Sequence, residues 1–446
     1  MKKLLFILAV LSVFSCSSDD DTNTRTPILT TVNATNITQT SSIAGGDITT
    51  DGGAEITARG VVWSTTQNPT ADVPTKTNDG TGTGTFTSTL SELSANTTYY
   101  VRAYATNSEG TAYGNEVSFT TLEPQSVFYL AENGITCKCE NANVGDIGII
   151  NGVEYEAVDR NLLIQRISEA ADFSRLCTSL VTDMKRIFEL SASTKPLGNW
   201  DVSNVTNMDY MFRNSLFNLP IDYWDVSNVT SMKFMFSTSH FNQPIGNWDV
   251  SNVTNMDWMF YNSQFNQPVG NWDVSNVTSM RFMFNISPFN QSLESWNVSS
   301  VTDMEYMFSN SPFNQPIGNW DVSNVTNMAA MFLISQFNHP IESWDVSNVT
   351  NMGSMFLQSE FNLPLGNWDV SNVTNMSRMF RFSQFDLPLE SWDVSNVTGM
   401  DQMFYYSQFN QNISGWCVTN IASEPLLFSV EAPLSPENKP IWGTCP

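Results

Sequence analysis

The chain has little positive charge. Its 446 residues carry 19 Lys and Arg against 44 Asp and Glu, a formal net charge of −25. Nucleic-acid binding needs clustered Lys and Arg to neutralise phosphates, so nucleic acid is excluded as a partner. Histidine is almost missing, with His240 and His339 the two in the chain. Cysteine is sparse, six in all. Beyond the first 13 residues no run is apolar enough to cross a bilayer as a helix.

What the chain has is repetition. Trp200, Trp224, Trp248, Trp272, Trp296, Trp320, Trp344, Trp368, Trp392 and Trp416 stand 24 residues apart without an insertion. One unit reads W-D-V-S-N-V-T-x-M-x-x-M-F-x-x-S-x-F-N-x-P-I-x-x. Self-similarity at a fixed period of this size means stacked repeats, because one unit cannot bury its apolar side alone. Every Met except Met1 falls eight or eleven residues after the Trp position, and a Met stripe of this kind reads as core. His240 and His339 sit in variable columns of different repeats and suggest no metal site.

Within a unit, Ile245, Trp248, Val250 and Val253 are spaced as in a strand that points Trp248 and Val250 inward. Asn247, Asp249 and Ser251 then point outward. Thr254 follows as a helix N-cap, with capping boxes at Thr254/Asp257 and Thr302/Glu305. Met256, Met259 and Phe260 fall on one face of the short helix expected next. Phe265 and Ile245 complete the core, and Pro244 sits in the return loop. Ten such coils at ~4.8 Å each give an array near 48 Å long. Asn252-Val253-Thr254 and its counterparts match the N-glycosylation acceptor. A bacterial leader favours local hydrogen bonding by Asn and Thr instead.

The remaining segments read in order. Residues 1–16 are a leader: Lys2-Lys3, the apolar run Leu4 to Val13, then Ser15-Cys16. This resembles a bacterial lipobox, with Phe14 where a small residue is usual, and implies lipidation of Cys16. Residues 17–26 form an acidic linker, which resembles the surface-export tag of some Gram-negative lipoproteins. Residues 27–122 are poor in charge and alternate short β-like runs with turn signals such as Asp51-Gly52-Gly53, which predicts a β-sandwich. Strands are expected at 56–64, 85–90, 98–105 and 116–121. The run Leu93 to Ala103 resembles the fibronectin type III pattern, which would make Tyr99 the corner tyrosine. No triad, metal cluster or Gly-rich phosphate loop occurs in this domain. Residues 123–176, with strands at 127–130 and 147–155 and a helix at 161–170, form an N-terminal cap. Residues 177–416 are the repeats and 417–446 the C-terminal cap.

The repeat sentence resembles the BspA-like family of bacterial surface proteins over about 177–416. The flanks resemble it too, from Leu130-Ala-Glu-Asn-Gly134 to Trp442-Gly-Thr-Cys445. The resemblance implies a leucine-rich-repeat-like solenoid, with adhesion or ligand capture as its role and no catalytic residues. The fold class expected is therefore α+β multidomain, a β-sandwich followed by a solenoid of short strands and short helices.

An exported compartment permits disulfides. Cys177 and Cys417 stand at opposite ends of the repeats and lie beyond each other's reach. Each is expected to pair locally, Cys417 with Cys445 and Cys177 with Cys139 or Cys137. A Cys137-x-Cys139 metal site is the alternative.

Two columns bear on function. The residue after the Trp is Asp201, Asp225, Asp249, Asp273, Asn297, Asp321, Asp345, Asp369 and Asp393 in successive repeats. Stacked acids repel; Ca²⁺, hydrogen bonds from Asn and Ser, or solvation would relieve this. Ten residues after the Trp come Tyr210, Phe234, Trp258, Phe282 and Tyr306, then Ala330, Ser354, Arg378 and Gln402. On a helix the five aromatics form an exposed stripe suited to sugar rings or peptide side chains; without one they pack.

The expected function is a bacterial cell-surface protein, held in the outer membrane by its N-terminal lipid alone. It would recognise an extracellular glycan or protein ligand through the solenoid face, without a cofactor or resident metal. The alternative is a structural envelope protein acting by self-association. Repeated acids offer carboxylates, but an enzyme needs one asymmetric, partly buried pair, so catalysis is not expected.

Overall fold

A computed structural model of the chain describes residues 24–446. The leader with Cys16, and the linker up to residue 23, lie outside the described residues. The chain is mostly β, in several small sheets, with one α-helix and no closed barrel among the described residues. It divides into two compact units after Gln125.

The first unit holds β1 (Ile28–Thr35), β2 (Ser42–Thr50), β3 (Ala58–Ser64), β4 (Gly84–Leu90), β5 (Thr98–Asn107), β6 (Gly110–Tyr113) and β7 (Val117–Thr120). One sheet runs β1-β2-β4; in the other, β3, β6 and β7 all pair with β5. Phe86, Ser88 and Leu90 of β4 are buried while their neighbours are exposed, the period of a half-buried strand. Ile48, Phe86 and Leu90 from one sheet pack with Val61, Val101 and Phe119 from the other. The Tyr99 hydroxyl accepts the Ser94 N–H at 3.0 Å. Strand β2 escapes a reading from pattern because it contains Gly45-Gly46. A Cβ at Gly45 would stand 2.1 Å from the Phe86 carbonyl oxygen, so backbone proximity selects glycine there.

The second unit opens with β8 (Val127–Leu130) paired to β9 (Cys137–Glu140), and β10 (Ile147–Ile150) paired to β11 (Val153–Ala157). Asn151 and Gly152 between the last two have φ of 51° and 80°, as a two-residue hairpin turn requires. Helix α1 (Arg160–Ser168) follows, with the Asp159 carboxylate accepting the Leu162 N–H. Leu176–Cys177 forms β12, parallel to β11.

Ten coils then stack, each marked by a residue at φ near +60° from Arg186 to Gln402, and Leu427 repeats the feature at the C-terminal end. The hydrogen bonds of one coil show how it is built. Met232, Phe234, Phe236 and Thr238 donate N–H to the carbonyls of Asn255, Asp257, Met259 and Tyr261 in the next coil. Met235, Ser237 and Ser239 donate instead to the carbonyl three residues back. N–H groups therefore point alternately along the stack and into tight turns.

This corrects the expected short helix. A helix is about 10–12 Å across with its side chains and closes its hydrogen bonds internally. Coils joined by main-chain bonds lie ~4.8 Å apart, so helices cannot occupy the same face of successive coils there. Thr254 is not an N-cap, since its N–H and hydroxyl both donate to the Thr230 carbonyl. Thr302 bonds Thr278 in the same way, so neither capping box forms. The Trp-Asp-Val-Ser-Asn-Val stretch is likewise irregular with a turn, and not a strand. Its side chains still alternate, Trp248 and Val250 buried and Asp249 exposed. The bonded face is the Met-x-x-Met-Phe side. Phe260 and Phe284 there lie 5.6 Å apart, while Trp224 and Trp248 lie 6.5 Å apart. Identical side chains measure the local pitch, so the coils fan open toward the Trp side.

The core is one continuous column of Trp, Val, Met, Phe and Ile. Each indole N–H from Trp248 to Trp416 donates to a main-chain carbonyl of the preceding coil, as Trp248 does to Ile221 at 3.1 Å. Outside the core, Asn252 Nδ2 donates to the Ser227 carbonyl and Asn266 N–H to Asn242 Oδ1. The repeated Asn residues are thus coil-to-coil ties. Disulfides Cys139–Cys177 and Cys417–Cys445 close the two ends.

Candidate functional site

The acidic column does not act as one set. Asp225, Asp249, Asp273, Asp321, Asp345, Asp369 and Asp393 are exposed, and each carboxylate accepts the N–H of the Ser two residues on. Bonds from the Ser hydroxyl and then its amide hold the carboxyls of Asp273, Asp321 and Asp369 below the usual carboxylate range. These acids are engaged within their own turns, and no cluster able to hold a metal occurs among the described residues.

Asp201 departs from the column. It is 2% exposed and forms an ion pair with Lys138 at 2.9 Å. Burial raises its pKa, but bonds from Ser179, Lys138 and Ser203 outweigh burial and hold the carboxyl low. It fastens the cap to the second coil. Beside it, Cys137 is the remaining thiol among the described residues, fully buried next to the Cys139–Cys177 disulfide. Burial, and then the charge of Asp201, push this thiol up to about 12. Thiolate is the reactive form. Cys137 is therefore expected to resist alkylation at pH 8 in the folded chain and to react fully in denaturant, with mass spectrometry as the readout. Rapid labelling of the folded chain contradicts this placement.

The aromatic column is neither a bare stripe on a helix nor fully packed away. Tyr210, Phe234, Trp258, Phe282 and Tyr306 have φ between 56° and 60° and are half-buried. Their rings stack in sequence at centroid separations of 4.6, 5.3, 3.9 and 4.5 Å. Most ring faces are thus covered by one another, leaving ring edges and the two ends of the column. At one end the Arg186 guanidinium lies 4.5 Å from the Tyr210 centroid, a cation–π cap.

The other end borders a groove. Beyond Tyr306 the same column continues with Ala330, Ser354 and Arg378, and the column before it runs Glu305, Ala329, Gly353, Ser377 and Asp401. Two adjacent columns become small in the same two coils. The result is a groove of about 380 Å³, bounded by Tyr306 and Glu305 at one end and by Arg378 and Asp401 at the other. Asn351, Gly353, Ser354, Asn375 and Ser377 line it. Asn375 Nδ2 donates to Asn351 Oδ1 at 2.9 Å, and a Cβ at Gly353 would stand 2.8 Å from Asn375 Nδ2. Glu305 is held by Arg281, whereas Arg378 is exposed and without an ion pair among the described residues. Ser354 and Arg378 stand in the aromatic column, whereas Asn351, Asn375, Ser377 and Asp401 stand in columns that sequence reasoning passed over. The available signal was the joint loss of side-chain volume at 329–330 and 353–354.

The repeat is also what comparison with known families detects. The family described as Mycoplasma protein of unknown function, DUF285, matches residues 182–288, 261–360 and 333–434. Together these cover more than half of the chain. The chain belongs to this family. The DUF285 matches fall on the coils with regularly spaced Trp and Phe, and all the residues of the aromatic column and of the groove lie inside them. No curated protein matches the chain.

Proposed function

We propose that the chain is a cell-surface-anchored binding protein that captures an extracellular glycan or protein ligand through the face of its coil array. The observation that carries this reading is the five-ring aromatic column ending in a polar groove. Aromatic faces beside convergent polar groups are the make-up of a recognition site. The repeats are read as a leucine-rich-repeat-like solenoid of the BspA-like type, which the fanned stack of 24-residue coils supports. The first unit is read as a fibronectin type III-like spacer, supported by its two packed sheets and the Tyr99 hydroxyl bonded at the corner. Anchoring is assigned to lipid on Cys16 in a bacterial outer membrane. No helix among the described residues is long and apolar enough to cross a membrane. The reading assigns no catalytic step and no cofactor.

The test has two arms. Radiolabelled palmitate should enter the full chain expressed in a Gram-negative host and be lost in Cys16→Ala. Cells displaying the full chain should bind at least one member of a panel of glycans and extracellular-matrix proteins that control cells do not. Absence of binding together with concentration-dependent assembly in sedimentation would replace capture by a structural envelope role.

A further inference from the structure

The two ends of the aromatic column are treated differently by the protein itself. Tyr210 is covered by a guanidinium of the same chain. Tyr306 stacks on Phe282 with one face and borders the groove. Its next neighbours in the column, Ala330 and Ser354, carry no ring. Arg378 stands three coils from Tyr306, about 14 Å at the ladder spacing of ~4.8 Å. Two coils intervene. Ala330 in the first is itself covered, at 1% exposed, so the open part of the interval lies around Ser354, between the Tyr306 side chain and Arg378.

The chemistry of the lining selects the occupant. An aromatic peptide side chain wants apolar walls around its rim, and the rim here is polar. Asn351, Asn375, Ser354 and Ser377 offer amides and hydroxyls along the floor, with Asp401 and Arg378 at the far wall. A sugar ring matches this, because it has apolar C–H faces to stack and hydroxyls around its edge to hydrogen-bond. The net charge of −25 disfavours polyanionic glycans. We infer that the groove between Tyr306 and Arg378 is a binding site for a short, uncharged oligosaccharide, one end packed against the Tyr306 ring and the other hydrogen-bonded by Arg378. This rests on the capture reading above and names its ligand class and its place.

The site can be closed without disturbing the fold. Ser354 has φ of 59°, the conformation that Phe234 and Phe282 occupy at 56° in their own coils. Ser354→Phe should therefore extend the aromatic column into the groove. The probes are cellotetraose, chitotetraose, xylotetraose, mannotetraose and laminaritetraose, titrated calorimetrically against the full chain. Binding of at least one is expected. Tyr306→Ala should weaken it about tenfold, the loss of one ring contact. Arg378→Ala should weaken it by a similar factor, and Ser354→Phe should abolish it with an unchanged melting curve. If Ser354→Phe does not fold, Arg378→Ala, an exposed substitution, decides alone. Absence of binding to every probe overturns the proposal, as does binding unaffected by Arg378→Ala and Ser354→Phe. In the first case, binding of matrix proteins by the same chain would leave the capture reading standing. In the second, capture survives and only its place is wrong.

Discussion

Trp248→Ala should lower stability by about 3–5 kcal/mol, the usual cost of removing a buried Trp from a packed core. Trp248 is 3% exposed and stacks near Trp224 at 6.5 Å and Phe236 at 6.3 Å. Its loss opens a cavity between coils that cannot close, because main-chain bonds fix the pitch on the opposite face. It also leaves the Ile221 carbonyl without its indole donor. Long arrays unfold in segments rather than as one unit. The expected signature is therefore an early transition in the denaturant curve, with the flanking coils melting later. Trp224 isolates the hydrogen-bond part of this cost. It is equally buried, but its indole N–H is without a partner. Trp224→Phe should thus be milder than Trp248→Phe by about 1 kcal/mol, the net worth of one hydrogen bond. Equal costs would show that the indole bond contributes nothing.

The second large effect lies at the cap. Asp201→Asn should cost roughly 2–3 kcal/mol, because it leaves Lys138 partly buried without its counter-charge. The same substitution at Asp225, exposed and one coil along, should cost less than about 0.5 kcal/mol. The effect is pH-dependent with a defined sign. The Asp201 carboxyl is held below its ordinary value in the folded chain, so it binds a proton less readily than in the unfolded chain. Its contribution is present above an unfolded pKa of about 3.9 and is lost as pH falls through the lower folded value. Thermal melts of the two variants and the parent should converge as pH drops below about 4. A difference that persists in acid would contradict the ion-pair account and point to packing.

How much of this was legible in the sequence depends on which interaction set each feature. The 24-residue period, the Trp and Met columns, and the burial of Ile245, Val250 and Phe265 follow from side-chain pattern, and the structure buries them all. The backbone between them is set by something a pattern does not carry. Met256, Met259 and Phe260 have helical spacing, yet they lie on tight turns whose alternate N–H groups reach the next coil. Residues at φ near +60° include Ile286 and Ile334, a conformation their branched side chains disfavour. The coil-to-coil bonds override local preference there. The acidic column was legible in part. Hydrogen bonds from Ser were among the reliefs expected, and the exposed acids meet their own Ser. The pairing of Asp201 with Lys138 of the cap, however, depends on a contact that a repeat pattern does not carry. The groove was partly visible as a change of residue size after Tyr306. Its depth came from Ala329 and Gly353 in the neighbouring column, which only the fold places beside it.

The proposed ligand capture would protect the turn face of the coils. The most direct measurement is hydrogen exchange of the full chain, alone and with each oligosaccharide and matrix protein of the panel. Slowed exchange over residues 305–307, 351–354 and 375–378, and nowhere in the first unit, is the predicted result. Protection confined to strands β1 to β7 or to the Asp–Val–Ser turns, or no protection with any partner, would contradict it.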